Sequence, residues 1–151
     1  PRSLAEALPL LTEDVTVGAG CTYLMVVDHA MHRKHESVLD VLRLPELRGV
    51  RDDGDWLDIG AAVTFSELRA SPLVQKHGPV VAEVAGTIGA WQIQNRATLG
   101  GNVINASPAG DSLPVLLALG AEVVLASAHG TRPLSYDVMH VGYRQTARRP
   151  D

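Results

Sequence analysis

The 151-residue sequence contains a single cysteine, Cys21, and this scarcity excludes two kinds of chemistry. One cysteine cannot form a disulfide within the chain, so we expect a reducing, cytoplasmic location. One cysteine also cannot ligate an iron–sulfur cluster, which is held mainly by several cysteine thiolates. The chain itself is therefore not predicted to carry such a cluster.

The sequence also lacks long apolar runs and an excess of positive charge. No apolar run approaches the roughly 20 residues that span a bilayer, and no signal-peptide pattern opens the chain. The formal net charge of −4 argues against nucleic acid or an anionic membrane as a partner. With 46% hydrophobic and 20% charged residues, the composition predicts a globular chain of one domain or two small lobes.

Familiar catalytic and nucleotide-binding motifs are missing as well. Neither the three-glycine dinucleotide fingerprint nor the lysine-containing phosphate loop is present, and no nucleophile elbow surrounds Ser107 or Ser112. The spacing of His29, His32 and His35, beside basic neighbours, predicts a solvated polar face and not a metal site. We therefore nominate no catalytic side chain and no metal ligand.

Short patterns predict most of the local elements. Capping boxes begin helices at Ser3 and Thr64. β-Branched or alternating runs predict strands at residues 15–17, 38–41, 56–60, 121–127 and 131–134, with a hairpin turn at 51–55. The spacing of apolar residues predicts a helix over 79–91, although Gly86 and Gly89 oppose it, and the polar tail from Val141 is expected to be poorly ordered if its continuation is absent.

The most informative stretch runs from Thr98 to Asp111 and contains two adjacent glycines, Gly100 and Gly101, but no basic residue. Glycine can adopt positive φ and let a ligand approach its N–H groups. Consecutive amides form an anion site, to which Thr98 and Asn102 add polar side chains. A double glycine is also common in ordinary turns. The functional interpretation is a cradle for a diphosphate-bearing cofactor.

A second glycine-centred loop lies far upstream, at residues 17–24, after a β-branched run. We interpret its backbone amides from Ala19 to Tyr23 as facing the same diphosphate, with the Thr22 hydroxyl as a further donor. A Cβ at Cys21 limits positive φ there. The thiol of Cys21 is interpreted as a packing group, with a reactive thiol as the alternative.

Together these two stretches resemble the flavin-binding medium subunit of molybdenum hydroxylases, the family of xanthine dehydrogenase and carbon monoxide dehydrogenase. That family carries an Ala-Gly-Gly-Thr-like first loop and a Thr-Ile/Leu-Gly-Gly-Asn/Asp second loop. The sequence departs from the family at Cys21, where glycine is usual, and at Tyr23, where a small or acidic residue is common. Further segments that carry the resemblance are residues 3–8, 59–64, 105–114 and 142–144.

The resemblance implies a two-lobed α+β fold of the FAD-binding PCMH type. A small α/β lobe would comprise residues 1–53, and a larger lobe of antiparallel sheet and helices residues 54–146. Residues 147–151 would begin a linker to a C-terminal lobe that this sequence lacks. FAD would bind non-covalently in the cleft between the two lobes.

The resemblance also implies which residues contact FAD. Asp111 either caps the following helix or contacts the ribityl region, and the resemblance favours the second role. Asn105 and Ser107 either contact FAD or hold a turn. The full set of predicted cofactor-binding residues is Ala19, Gly20, Cys21, Thr22, Tyr23, Thr98, Gly100, Gly101, Asn102, Asn105, Ser107 and Asp111.

The expected function is that of a flavin module within a molybdopterin-dependent dehydrogenase, because redox chemistry of this kind needs a cofactor. By resemblance, molybdopterin and iron–sulfur partners deliver electrons to FAD, which passes them to NAD or oxygen. This piece would be inactive alone. Two alternatives stay open: a stand-alone flavin reductase, and a cofactor-free scaffold that bridges partner subunits.

Overall fold

The computed structural model describes residues 1–32 and 35–149, and it contains both helices and strands in the α+β arrangement that we predicted. The helices are α1 Leu4–Ala7, α2 Thr22–Met31, α3 Phe65–Ala70, α4 Pro72–His77, α5 Pro79–Ala85, α6 Trp91–Gln94, α7 Leu99–Asn105 and α8 Ser112–Ala118. The strands are β1 Val15–Gly18, β2 Ser37–Asp40, β3 Val50–Asp52, β4 Leu57–Ile59, β5 Glu122–Ser127, β6 Gly130–Ser135, β7 His140–Gly142 and β8 Gln145–Thr146. Arg33, Lys34 and the last two residues of the expected linker lie outside the described residues.

The N-terminal part is built around a parallel strand pair that α2 connects. The Ser3 side chain accepts a hydrogen bond from the Glu6 N–H and starts α1, as its sequence predicts. Pro9 prevents the helix from continuing, so the chain tightens into a 3₁₀ turn at Leu8–Leu10. Strands β1 and β2 pair in parallel, with Val17 opposite Leu39. This pairing places the end of β1 and the start of α2 at one edge of the two strands.

The imidazole of His35, one of three histidines considered for a metal site, lies between two polar groups. Its Nδ1 is 2.8 Å from the Thr16 hydroxyl, and its Nε2 is 2.9 Å from the Asp28 carboxylate. Within the described ranges, no cluster of three potential ligands could hold a metal ion.

The middle of the chain packs short helices against the β3–β4 hairpin. Thr64 and Glu67 form the predicted capping box at the start of α3, and Phe65 and Leu68 are fully buried. Burial raises the pKa of Glu67, but hydrogen bonds from Thr64 and the charge of Arg48 outweigh it and lower the pKa overall. Arg48 pairs with the Glu67 carboxylate, so residues on either side of the expected lobe boundary are in direct contact.

The single helix that we predicted over residues 79–91 is wrong. Helix α5 ends at Ala85, and α6 begins only at Trp91. Gly89 lies between them with a φ of +52°, a conformation that glycine adopts without strain. The apolar residues keep their helical spacing, but the glycines at 86 and 89 interrupt the backbone.

The C-terminal part contains two antiparallel hairpins, β5–β6 and β7–β8. The prediction of a poorly ordered tail is wrong for residues 141–146, because β7 pairs with β8 and the Ala147 N–H donates to the Met139 carbonyl. Tyr136 and Met139 are buried in one cluster with Val103 of α7, and residues of β5 and β6 pack against this cluster. Burial raises the pKa of Tyr136 to about 12.

Among the residues that the structure describes, no helix combines the length and the hydropathy needed to cross a membrane.

Candidate cofactor-binding site

The first glycine loop joins the end of β1 to the start of α2. Cys21 occupies the N-cap position of α2 with φ +57° and ψ +12°, in the left-handed region. The sequence predicted that a Cβ would limit this conformation, yet the chain adopts it with a cysteine in place of glycine. The half-buried thiol lies 3.5 Å from the Ala19 carbonyl oxygen, an arrangement that fits a packing role.

The start of α2 presents a run of unused backbone donors. The first N–H groups of an α-helix have no partner within the helix, and no side chain among the described residues caps α2. In the described part of the chain, no group accepts a hydrogen bond from the N–H of Gly20, Cys21, Thr22 or Tyr23. Such a run, at the positive end of a ten-residue helix, can bind an anion.

The two glycine stretches meet in space. A Cβ on Gly20 would overlap the carbonyl oxygen of Arg96 and lie 3.1 Å from the Ala97 Cα. Only glycine therefore fits at position 20, because the backbone just before Thr98 passes directly against it. Gly20 and Arg96 are 76 positions apart in sequence, yet their backbones lie against each other in the fold.

The second stretch differs from the open loop that we predicted. Residues 99–105 form α7, and neither Gly100 nor Gly101 has positive φ. The Gly100 N–H donates to the Ala61 carbonyl at 2.9 Å, and the Gly101 N–H donates to the Thr98 hydroxyl at 3.1 Å. The expectation that these two amides face a ligand is therefore wrong, because the protein already uses both.

Gly100 and Gly101 have different surroundings. A Cβ on Gly100 would lie 2.7 Å from the Ala61 Cβ and carbonyl oxygen, so this glycine allows α7 to pack against residue 61. A Cβ on Gly101 would meet only the Thr98 hydroxyl, at 2.8 Å, and would otherwise point into open space. Packing explains the first glycine, whereas the second keeps an exposed surface free of side chains.

Thr98 and Asn102 are already engaged within the protein. Thr98 is 2% exposed, and its hydroxyl caps α7. The Asn102 side-chain oxygen accepts a hydrogen bond from the buried Ser112 hydroxyl at 2.7 Å, which joins α7 to α8. Both side chains thus hold the helix that carries Gly101.

An arginine connects two predicted site residues that lie far apart in sequence. Arg144 Nη1 donates to the Tyr23 hydroxyl at 2.8 Å and to the Asn105 side-chain oxygen at 3.1 Å. Its guanidinium also lies over the Tyr23 ring, 5.0 Å from the ring centre. The sequence analysis included Arg144 in a resembling segment but missed its place at this site, since no local spacing relates residue 144 to residue 23.

Ser107 and Asp111 lie in the turn between α7 and α8. The Ser107 hydroxyl accepts a hydrogen bond from the Ala109 N–H, so it holds the turn, as one of the two interpretations proposed. Asp111 occupies the N-cap position of α8 without a capping hydrogen bond, and its exposed carboxylate lies 3.4 Å from the Thr87 hydroxyl. Helix capping therefore does not explain Asp111, and its carboxylate is open to other contacts.

The features that fit a diphosphate lie on an open surface. A cavity of about 180 Å³ elsewhere is lined by Leu113, Pro114, Leu117, Tyr136, Asp137 and His140, none of them a predicted site residue. The start of α2, by contrast, offers N–H donors that no described residue pairs, and the guanidinium of Arg144 lies against Tyr23 of this helix. This donor set suits a phosphorylated ligand.

Comparison with known families gives one match over the whole sequence. The family described as the FAD binding domain in molybdopterin dehydrogenase matches residues 1–151.

Curated relatives and solved structures agree with this match. The carbon monoxide dehydrogenase medium chain of Hydrogenophaga pseudoflava is 34% identical over 149 residues, covering 97% of this chain and 52% of that protein. The nicotinate dehydrogenase FAD-subunit of Eubacterium barkeri is 35% identical, covering 89% of this chain and 47% of that protein. The structure of the carbon monoxide dehydrogenase from Hydrogenophaga pseudoflava that lacks the Mo-pyranopterin moiety superposes with a TM-score of 0.95 at 33% identity, covering 99% of this chain and 53% of that chain. The chain thus spans about half the length of the curated relatives it matches.

Proposed function

Because the chain belongs to the family of FAD-binding domains of molybdopterin dehydrogenases, we propose that it binds the diphosphate of FAD at the start of α2. The cofactor of this domain is FAD. When bound, FAD supplies the one- and two-electron redox chemistry that protein side chains cannot perform. The chain's own residues bind and orient it.

The observation that carries the proposal is the run of unpaired N–H groups from Gly20 to Tyr23. Buried or ordered backbone donors are nearly always paired, so a contiguous unpaired run marks a place where a ligand can supply the acceptors. Left-handed Cys21 turns the chain into α2, and Gly20 brings this turn against residues 96–97. The diphosphate would accept hydrogen bonds from these amides and from the Thr22 hydroxyl.

In this proposal the second glycine stretch provides a surface that the cofactor can approach closely, and its glycine amides do not donate hydrogen bonds to the cofactor. Thr98 and Asn102 fix α7, which carries the bare surface of Gly101. In this proposal the cofactor passes over Gly101 and its ribityl region contacts the exposed carboxylate of Asp111. The cofactor would then lie in a cleft between lobes formed by residues 1–53 and 54–146.

The wider role follows from the relatives. We infer that the chain acts as a redox subunit or domain. It would receive electrons from iron–sulfur partners, which in turn would receive them from a molybdopterin-binding partner. NAD or oxygen would be the acceptor, and the location would be cytoplasmic. The relatives named as medium chains or FAD-subunits support a place in a multi-subunit dehydrogenase.

Titration of the purified chain with FAD and with riboflavin tests the proposal. We expect absorbance near ~450 nm to co-elute with the chain, and FAD to bind far more tightly than riboflavin, which has no diphosphate. Equal affinities for the two ligands would show that the amides of α2 do not bind the diphosphate. A chain that takes up neither ligand but still binds its partner subunits would support the scaffold instead.

A further inference from the structure

We propose that Arg144 is the cation that neutralises the diphosphate of FAD, and that it exchanges Tyr23 and Asn105 for phosphate oxygens when the cofactor binds. This inference rests on the proposed function. It adds a specificity-determining residue at a position outside both glycine stretches.

The first argument is the position of Arg144 relative to the unpaired donors. Tyr23 is the second residue of α2, and its N–H belongs to the unpaired run. The Arg144 guanidinium donates to the hydroxyl of this tyrosine and covers its ring. The charge therefore lies beside the helix start where the diphosphate would bind.

The second argument concerns charge. The first loop offers neutral N–H groups, whereas the diphosphate of FAD, which joins riboflavin to adenosine, carries about two negative charges. Arginine is suited to phosphate because its planar fork makes paired, charge-assisted hydrogen bonds. In the described part of the chain, Arg144 Nη1 donates to neutral oxygens of Tyr23 and Asn105, and the guanidinium also lies 5.9 Å from the centre of the Tyr143 ring. Exchange of these neutral acceptors for phosphate oxygens would give stronger hydrogen bonds.

The third argument is the backbone at residue 144. Arg144 lies in the two-residue turn between β7 and β8, with φ +52°, where glycine or asparagine is the usual choice. A long charged side chain at such a position is unfavourable for the turn itself. The turn instead serves to hold the guanidinium against α2 and α7, and a strained position of this kind is typical of a functional residue.

A structural role for Arg144 is the competing explanation, since its hydrogen bonds tie α2 to α7. The two roles predict different ligand dependence. A cation for the diphosphate matters only for ligands that carry phosphate, whereas a tie between helices would affect every flavin equally.

The experiment compares FAD and riboflavin dissociation constants for the unaltered chain, Arg144→Gln, Arg144→Lys and Arg51→Gln. Arg51 pairs with Asp58 on the exposed β3–β4 hairpin, so its substitution changes the net charge equally but away from the site. Circular dichroism and thermal unfolding confirm that each variant is folded.

We expect Arg144→Gln to weaken FAD roughly 10- to 100-fold, the loss typical of one charged hydrogen-bonding group, and to leave riboflavin unchanged. Salt should weaken FAD binding to the unaltered chain and to Arg144→Lys more than to Arg144→Gln. Arg51→Gln should bind both flavins as the unaltered chain does.

An unchanged FAD affinity in Arg144→Gln would overturn the inference and leave the proposed function intact. Equal losses for FAD and riboflavin would also overturn it, in favour of the structural tie. If the unaltered chain binds no FAD, the proposed function fails and the inference fails with it.

Discussion

Substitution of Gly101 tests whether its bare surface exists for a ligand. In Gly101→Ala, the new methyl group would meet only the Thr98 hydroxyl, at 2.8 Å. The same chain already contains this arrangement at α3, where the Thr64 hydroxyl caps the N–H of Glu67, a residue with a full side chain. A shift of a few tenths of an ångström therefore accommodates the methyl group.

The expected change in stability is small because two effects oppose each other. Alanine favours a helix by roughly 0.5–1 kcal/mol over glycine, and crowding of the Thr98 hydroxyl offsets this gain. We therefore expect the free energy of unfolding to stay within about 1 kcal/mol of the original. A methyl group against a closely approaching cofactor costs about 1–3 kcal/mol, which corresponds to roughly 5- to 150-fold weaker FAD binding.

Gly100→Ala is the matched control, since it places the same methyl group one residue earlier. That methyl group would lie 2.7 Å from the Ala61 carbonyl oxygen and would disturb the Gly100–Ala61 hydrogen bond. We expect a loss of about 1–3 kcal/mol in stability. Urea unfolding and flavin-fluorescence titration measure the two quantities for both variants. FAD affinity that is unchanged in Gly101→Ala, and again in the bulkier Gly101→Val, would refute the assignment of Gly101 to the cofactor surface.

Two further predictions follow from pKa shifts. The pKa of Glu67 lies below its ordinary value of 4.5. The ionised Glu67 carboxylate therefore stabilises the fold above pH 4.5, and this stabilisation is lost as the pH falls through the lowered pKa. Glu67→Gln should flatten the acid limb of a plot of melting temperature against pH, and an unchanged acid limb would contradict this. Burial raises the pKa of Tyr136 to about 12, so stability should fall as the pH rises from the ordinary tyrosine range toward that value. The Tyr136 hydroxyl has no hydrogen-bond partner in the described part of the chain, and Tyr136→Phe should therefore raise stability at neutral pH by about 1 kcal/mol and remove the alkaline loss. A destabilised phenylalanine variant in chemical denaturation would argue against an unpaired hydroxyl.

The elements that the sequence predicted correctly depend on interactions between neighbouring residues. A capping box needs only two side chains three residues apart, and the pair Thr64 and Glu67 forms one. The β3–β4 hairpin likewise follows from the turn residues near Gly54. The break between α5 and α6 could not be predicted from neighbouring residues, because the local signals conflict. The spacing of Val80, Val84, Ile88 and Trp91 favours a continuous helix, whereas Gly86 and Gly89 oppose one.

The tail was mispredicted for a related reason. Its polar composition is typical of disorder, yet β7 and β8 pair beside the buried residues Tyr136 and Met139. Long-range contacts stabilise this hairpin, and they are invisible in the local pattern. The same limitation hid Arg144, whose partners Tyr23 and Asn105 are 121 and 39 residues away.

The two glycines of the second stretch show why a motif can indicate a site without assigning its parts. Written as letters, Gly100 and Gly101 are identical, and both were interpreted as ligand-facing amides. In the fold, α7 rotates successive residues by about 100°, so adjacent glycines face different surroundings. Gly100 faces Ala61, where a side chain would block packing, and Gly101 faces open space. Helix geometry therefore gives the two glycines different surroundings, and the paired alanine variants test the proposed division between stability and cofactor access because each should change only one measured quantity.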